Sequence, residues 1–148
     1  MNIALLTCKK FPDLIADDQL LISGFAKYGI MAVPAVWDDE TINWNHFDYL
    51  LFRSTWDYFE KEPQFNRWLD HIENSGIKTL NPIKVIRQNK HKFYLQDLHQ
   101  QGITIIPTIF IKRTNQLDLK AIIPTTWKKS VIKPAVSGGS YQTEVFGI

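Results

Sequence analysis

The chain has 148 residues, of which 45% are hydrophobic and 13% aromatic, so it can bury the core of an ordinary domain and is not expected to be disordered. Its formal charge of +2 comes from 17 basic and 15 acidic residues spread along the sequence, and this balance predicts neither a nucleic-acid nor a membrane partner. The single cysteine excludes an intrachain disulfide. With no signal-peptide pattern and no apolar run as long as a membrane span, the predicted location is the cytoplasm.

The first half of the sequence alternates apolar runs with helical patterns. Four runs are predicted to be strands: 3–7, 30–36, 49–53 and 77–80. One intervening helix should end at Gly29, and another should open at Pro63 and end at Gly76, while Pro34 favours an edge position for the second strand. Strands separated by helices predict an α/β fold, here a Rossmann-like domain with a mostly parallel sheet over residues 1–81.

The pattern changes after residue 81. Helices are predicted from Pro82, over 90–101 and, weakly, over 117–123. Strands are predicted over 103–106, 108–112, 131–136 and 142–146. Closely spaced strands favour an antiparallel sheet, so residues 82–148 should form a second, α+β subdomain.

The stretch VIKPAVSGGS combines a strand, Lys133 and the only Gly-Gly pair of the chain. Glycines let backbone N–H groups converge on an anion, and a nearby ammonium adds a charge for phosphate. The lysine precedes the glycines, so this is not a Walker loop. Taken alone, the pattern favours a plain hairpin turn beside an exposed lysine.

Two further stretches are candidates for binding. Lys90 and Lys92 open the predicted helix over 90–101, where the helix dipole disfavours a cation, so a lysine there could serve to bind a ligand. A lysine at such a position is more commonly a solvated surface residue. RSTWDY (53–58) follows a strand, at the edge of a parallel sheet where ligands bind. The structural alternative is that Trp56 covers the core and Asp57 caps the next helix.

Other polar residues give weaker signals. The positions that follow the first four strands deserve inspection because ligands bind at that edge of a parallel sheet. Cys8 lies at one of them, but the sequence offers it no base partner. The four histidines lack metal-ligand spacing. Asp17 and Asp18 are better explained as helix caps than as a paired acid and base.

In their order along the chain, the segments LTCKKFPDL, DDQLL, VWDD, RSTWDY and KPAVSGGS resemble the ATP-grasp superfamily. The branch is that of the glutathione-synthetase-like and ribosomal-protein glutamate-ligase-like proteins, and the similarity is strongest to the D-cycloserine-forming ligase group. The resemblance covers essentially the whole chain and implies a pre-ATP-grasp domain followed by part of an ATP-grasp subdomain.

The resemblance also implies roles for individual residues. The ATP-binding set would be Lys92, Lys133, Ser137, Gly138, Gly139 and Ser140. Lys90 is a close competitor of Lys92. The set facing a small carboxylate substrate would be Arg53, Ser54, Thr55, Trp56 and Asp57. No catalytic residue and no metal ligand is assigned to this chain, because the magnesium ligands of the family follow the glycine loop, which is residues 137–140 here.

The resemblance implies an ATP- and Mg²⁺-dependent ligase that joins a carboxylate to an amine or similar nucleophile through an acyl phosphate. We expect these 148 residues to be its amino-terminal part, a fragment or truncated product that is inactive alone. The alternatives are a small-molecule binding or regulatory module without catalysis, and an interaction domain. A strand edge near Phe146 could pair with a second copy, so self-association is also expected.

Overall fold

The computed structural model of the chain describes residues 1–113 and 118–147. They divide into two units, Met1–Arg87 and Gln88–Ile148. The division falls within the third helix, Ile83–Asn89, whereas the sequence predicted a domain boundary after Asn81, which stays a prediction.

The amino-terminal unit contains one parallel sheet flanked by helices. Its strands are β1 (Asn2–Thr7), β2 (Met31–Val36), β3 (Tyr49–Phe52) and β4 (Lys78–Leu80). Its helices are α1 (Ala16–Ala26), α2 (Glu62–Ser75) and α3 (Ile83–Asn89), with a 3₁₀ turn at Trp44–His46. The order in the sheet is β2-β1-β3-β4, and every neighbouring pair is parallel. The predicted α/β fold is confirmed, and β2 with its Pro34 lies at an edge, as expected.

Strand β1 is buried on both faces because it lies inside the sheet and helices cover both of its sides. Ala4 and Leu6 pack in one cluster with apolar residues of α2, whereas Ile3 and Leu5 pack in another with residues of α1. Since side chains alternate along a strand, this single run of apolar residues serves two cores.

Helix α2 follows the sequence signals closely. Pro63 lies in its first turn, where a missing N–H costs nothing, and Gly76 ends it with φ +73°. The buried residues Phe65, Leu69 and Ile72 form its inner face. Because this face is apolar and the opposite face is charged, the helical spacing of its apolar residues predicted the helix from the sequence.

Helix α1 differs from the prediction at its start. Ile15 occupies the N-cap position, and no side chain makes a capping hydrogen bond. The predicted capping role of Asp17 or Asp18 was therefore wrong. Asp18 is buried, only 2% exposed, because its carboxylate binds residues that follow β3.

The carboxyl-terminal unit contains α4 (Tyr94–Gln100), α5 (Leu119–Ile122), β5 (Lys129–Ile132) and β6 (Glu144–Gly147). Strands β5 and β6 pair antiparallel, with Ser130 opposite Phe146. The predicted strand over 131–136 ends early because Pro134 has no N–H for a ladder. The predicted helix over 117–123 corresponds to α5, and Leu117 lies outside the described residues. Self-association through β6 stays a prediction.

Two predictions for this unit were wrong. The predicted helix over 90–101 begins only at Tyr94, because the N–H of Lys92 donates to the carbonyl of Ala135 at 2.8 Å instead of entering a helix. The predicted strands over 103–106 and 108–112 are not formed, since this segment has no ladder partner within the described ranges.

The carboxyl-terminal unit is sparsely packed. Among its described residues no apolar side chain is fully buried, and Ser130 is its one buried residue. Large apolar side chains such as Ile106 and Val145 are exposed. Over the ranges that the structure describes, none of the helices has the length and apolar character needed to cross a membrane.

Candidate functional site

A buried carboxylate organises the residues that follow β3. Nε and Nη2 of Arg53 donate to Oδ1 of Asp18 at 2.8 and 2.6 Å, and the hydroxyl of Ser54 donates to Oδ2 at 2.5 Å. The backbone N–H groups of both residues also donate to the carbonyl of Leu6 in β1. The Arg53 side chain is still 42% exposed, so its guanidinium is held in a fixed place while facing solvent.

A second polar network lies at the ends of β2 and β3. The indole Nε1 of Trp37 donates to Oδ1 of Asp57 at 2.7 Å. Lys61 bridges two carboxylates, donating to Oδ2 of Asp57 at 3.0 Å and to Oδ2 of Asp38 at 2.9 Å. The ammonium of Lys9 lies 3.3 Å from the same Asp38 oxygen. These contacts join the residues after β1 and β2 to the segment that leads into α2, which ends at its N-cap Lys61.

The second network has a clear electrostatic consequence. The hydrogen bond that Lys61 donates to Asp38 raises the pKa of Lys61 above its usual value, with a further contribution from Asp57 and partial opposition from burial. The Asp38 side chain is only 2% exposed, and its Oδ1 has no hydrogen-bond partner. Lys61 therefore stays charged at neutral pH and holds two carboxylates together.

The structure separates the five predicted substrate-facing residues into different environments. Arg53 and Ser54 meet on Asp18, whereas Asp57 binds Trp37 and Lys61 and does not cap α2. Thr55 is buried, and its carbonyl accepts a hydrogen bond from the N–H of Tyr58. Trp56 does not cover the core: it is 48% exposed and packs edge-on against Phe11 at 5.6 Å.

In the carboxyl-terminal unit, Lys92 and the glycine loop come together. The Lys92 ammonium donates to the hydroxyl of Ser137 at 2.8 Å and to its carbonyl at 3.1 Å. Lys92 precedes α4 and Ser137 lies 45 positions later, so the folding of this unit joins two of the predicted phosphate-binding segments.

The glycine loop itself forms a tight turn. Gly139 and Ser140 have φ of +55° and +62°, and the N–H of Tyr141 donates to the carbonyl of Gly138 at 3.0 Å. Consecutive left-handed residues require glycine or tolerate a small polar residue, as SGGS provides. Such turns direct backbone N–H groups toward a common point, which is one way in which proteins bind anions.

A cavity of about 820 Å³ opens beside Lys92 and Lys133. Lys129 also lines it, whereas Lys90, the competing candidate, does not. Most of the remaining lining is apolar and comes from α4, from residues 103–111, from α5 and from β5. A mostly apolar cleft with a few charged groups is the usual form of a small-molecule site.

The ammonium of Lys92 is in an unfavourable environment in the free protein. Burial lowers its pKa below the ordinary value of 10.5, and the positive charge of Lys133 lowers it further. An anion placed between the two lysines would offset both effects. The geometry therefore favours an anionic ligand between Lys92 and Lys133.

Sequence reasoning missed several residues of these networks. Asp38 and Lys9 follow the ends of β2 and β1, so inspection of strand ends could have found them. Asp18 and Lys61 lie in or next to helices and carried no such signal. Within the described residues, no group of three or more His, Cys, Asp or Glu side chains could hold a metal ion.

Comparisons with known proteins match this fold. The model of the family described as the D-cycloserine synthetase DcsG N-terminal domain matches residues 3–81. Cycloserine biosynthesis protein DcsG from Streptomyces lavendulae is 27% identical over 130 residues, which are 84% of this chain and 42% of that protein. The crystal structure of D-cycloserine synthetase DcsG superimposes with a TM-score of 0.84 at 24% identity, over 99% of this chain and 50% of the other.

The present chain thus spans about half the length of these relatives. The predicted resemblance to the D-cycloserine-forming ligase group, and to its amino-terminal part, is confirmed. At 24% identity the structural match supports the fold of the carboxyl-terminal unit and nothing finer. The chain belongs to the family of D-cycloserine synthetase DcsG N-terminal domains.

Proposed function

We propose that this chain supplies the amino-terminal part of an ATP-dependent ligase, with one side of the nucleotide site in its carboxyl-terminal unit. Lys92 and Lys133 bind the phosphates, and residues 137–140 cover them. In the reaction, a substrate carboxylate takes the γ-phosphoryl group of ATP, releasing ADP. An amine or similar nucleophile then attacks the acyl phosphate and expels phosphate.

The observation that carries the proposal is that Lys92 and Lys133 line the same mostly apolar cavity, while the Lys92 ammonium donates to Ser137 of the glycine loop. Two neighbouring ammonium groups repel each other, and this repulsion helps to lower the pKa of Lys92. Polyphosphate is a fitting counterion because it places several negative oxygens within reach of both lysines. The apolar part of the cavity fits a heterocyclic base.

The amino-terminal unit is proposed to hold the carboxylate substrate at Arg53. Its guanidinium can bind a carboxylate through paired hydrogen bonds, and Asp18 fixes the guanidinium in position. The relatives are named for D-cycloserine synthesis, but the proposal for this chain extends only to a small carboxylate.

Magnesium is proposed to act in the complete parent protein, where the family resemblance places its ligands after the glycine loop. In the part of the chain that the structure describes, no group of three or more His, Cys, Asp or Glu side chains could hold a metal ion. The role proposed for this chain is therefore charge neutralisation of the phosphates by Lys92 and Lys133.

The test is a calorimetric titration of the chain with Mg-ATP. Lys92→Ala and Lys133→Ala should each weaken binding roughly 10- to 150-fold, because each removes a charge-assisted hydrogen bond worth about 1.5–3 kcal/mol. Lys128→Ala is the matched control, since Lys128 is exposed and does not line the cavity. It should bind ATP as the unaltered chain does.

Two results would count against the proposal. If the unaltered chain does not bind Mg-ATP, or if Lys128→Ala weakens binding as much as the other two variants, the lysines do not form a nucleotide site. If a small carboxylate binds in an Arg53-dependent way and ATP does not, the result supports the alternative of a binding module without catalysis.

A further inference from the structure

We infer that Ser130 is a base-recognition residue, whose hydroxyl forms a hydrogen bond to the heterocyclic base of the nucleotide. The inference deepens the proposed function and rests on it. Lys92 and Lys133 would bind phosphate from any source, whereas Ser130 would respond only to a ligand that carries a base.

Ser130 stands out within its unit. It is 8% exposed in a unit where no other described residue is fully buried, and its Oγ has no hydrogen-bond partner. A buried hydroxyl without a partner is unfavourable, so native proteins rarely retain one unless a water or a ligand satisfies it. Ser130 also lines the 820 Å³ cavity, where such a partner could bind.

The position of Ser130 along β5 suits this role. It lies three residues before Lys133, and at about 3.3 Å per residue the two are roughly 10 Å apart along the chain. A nucleotide also places its phosphates and its base at opposite ends. With the phosphates at Lys133, the base reaches back along the strand toward Ser130.

The Ser130 hydroxyl differs from the other hydroxyl groups that line the cavity. Two threonines also line the cavity, but both are exposed, and the hydroxyl of Thr108 already donates to the carbonyl of Ile106 at 2.7 Å. The serine hydroxyl can donate one hydrogen bond and accept others, and the ring nitrogens of a purine accept such a bond. In an apolar cavity, a ligand that forms a hydrogen bond with this hydroxyl binds more tightly than one that leaves it unpaired.

The experiment compares two ligands, ATP and inorganic tripolyphosphate, by calorimetry. Ser130→Ala should weaken ATP binding about tenfold and leave tripolyphosphate binding unchanged, because only ATP carries a base. Ser130→Thr keeps the hydroxyl on a residue suited to a strand and should retain most of the ATP affinity. Lys92→Ala should weaken the binding of both ligands.

The outcomes separate the two proposals. If ATP binds the unaltered chain and Ser130→Ala binds it equally well, Ser130 does not recognise the base, while the phosphate site stands. If Ser130→Ala weakens ATP and tripolyphosphate alike, the substitution acts on the fold or on the lysines, and the inference is also overturned. If the unaltered chain binds neither ligand, the proposed function falls, and the inference falls with it.

Discussion

Replacing Asp18 by asparagine should destabilise the amino-terminal unit. The carboxylate is buried and accepts hydrogen bonds from Arg53 and Ser54, so it ties α1 to the segment that follows β3. Asparagine has nearly the same shape, and the substitution therefore removes charge with little change in packing. The expected effect is a lower free energy of unfolding of this unit.

The size of the effect follows from exposure and geometry. Removing one member of a buried ion pair costs about 3–5 kcal/mol when the other charge is left buried. Here the Arg53 side chain is 42% exposed and recovers part of its hydration. The asparagine oxygen can still accept from Arg53, and its amide can donate to the Ser54 hydroxyl. We therefore expect a loss of about 2–3 kcal/mol, from a total of about 5–15 kcal/mol for a typical domain.

The assay is urea denaturation followed by tryptophan fluorescence. Four of the five tryptophans lie in the amino-terminal unit, so the signal reports mainly on its unfolding. The matched control is Asp17→Asn on the same helical turn, because Asp17 is exposed and its loss should cost only a few tenths of a kcal/mol through the helix dipole. With a typical urea dependence, Asp18→Asn should lower the midpoint by about 1 M.

Equal urea midpoints for Asp18→Asn and Asp17→Asn would mean that the Asp18 network contributes nothing to stability. The assignment of Asp18 as the residue that positions Arg53 would then lose its support.

Three further predictions concern the same unit. Lys61→Met should lower the free energy of unfolding at neutral pH. Because the pKa of Lys61 is raised in the folded state, its contribution to stability is complete below pH 10.5 and disappears as the pH rises through the folded pKa. The unfolding curves of the unaltered chain and the variant should therefore converge in strong alkali. Trp37→Phe should cost about 1–3 kcal/mol in urea denaturation, since it leaves Oδ1 of Asp57 without the indole donor, and an unchanged midpoint would contradict this. Gly76→Ala should cost about 1 kcal/mol, seen as a lower Tm, because alanine is strained at φ +73°, whereas Gly24→Ala in α1 meets no such strain.

The sequence predicted the amino-terminal fold well, for physical reasons. The apolar period of α2, the terminating Gly76 and the fully apolar β1 are local signals, and local signals can be read from one sequence. The edge position of β2 followed from Pro34, which has no N–H to donate to a neighbouring strand.

The polar networks could not be predicted from local sequence signals. Asp18 stands 35 positions from Arg53, and Lys61 stands 23 positions from Asp38, so only the folded chain shows these pairs. Asp18 resembles a helix cap in sequence because capping and ion pairing use the same side chain. Residues 103–112 have strong strand propensity, but a strand also requires a partner, which propensity does not reveal.

Binding of the ATP phosphates at Lys92 can be tested by measuring the pKa of its ammonium group by NMR, with and without ATP. We expect a pKa below 10.5 in the free chain, because of burial and the nearby Lys133, and a higher pKa when ATP is bound. Lys128 should show no comparable change. A Lys92 pKa that stays the same in saturating ATP would show that the phosphates do not bind at Lys92.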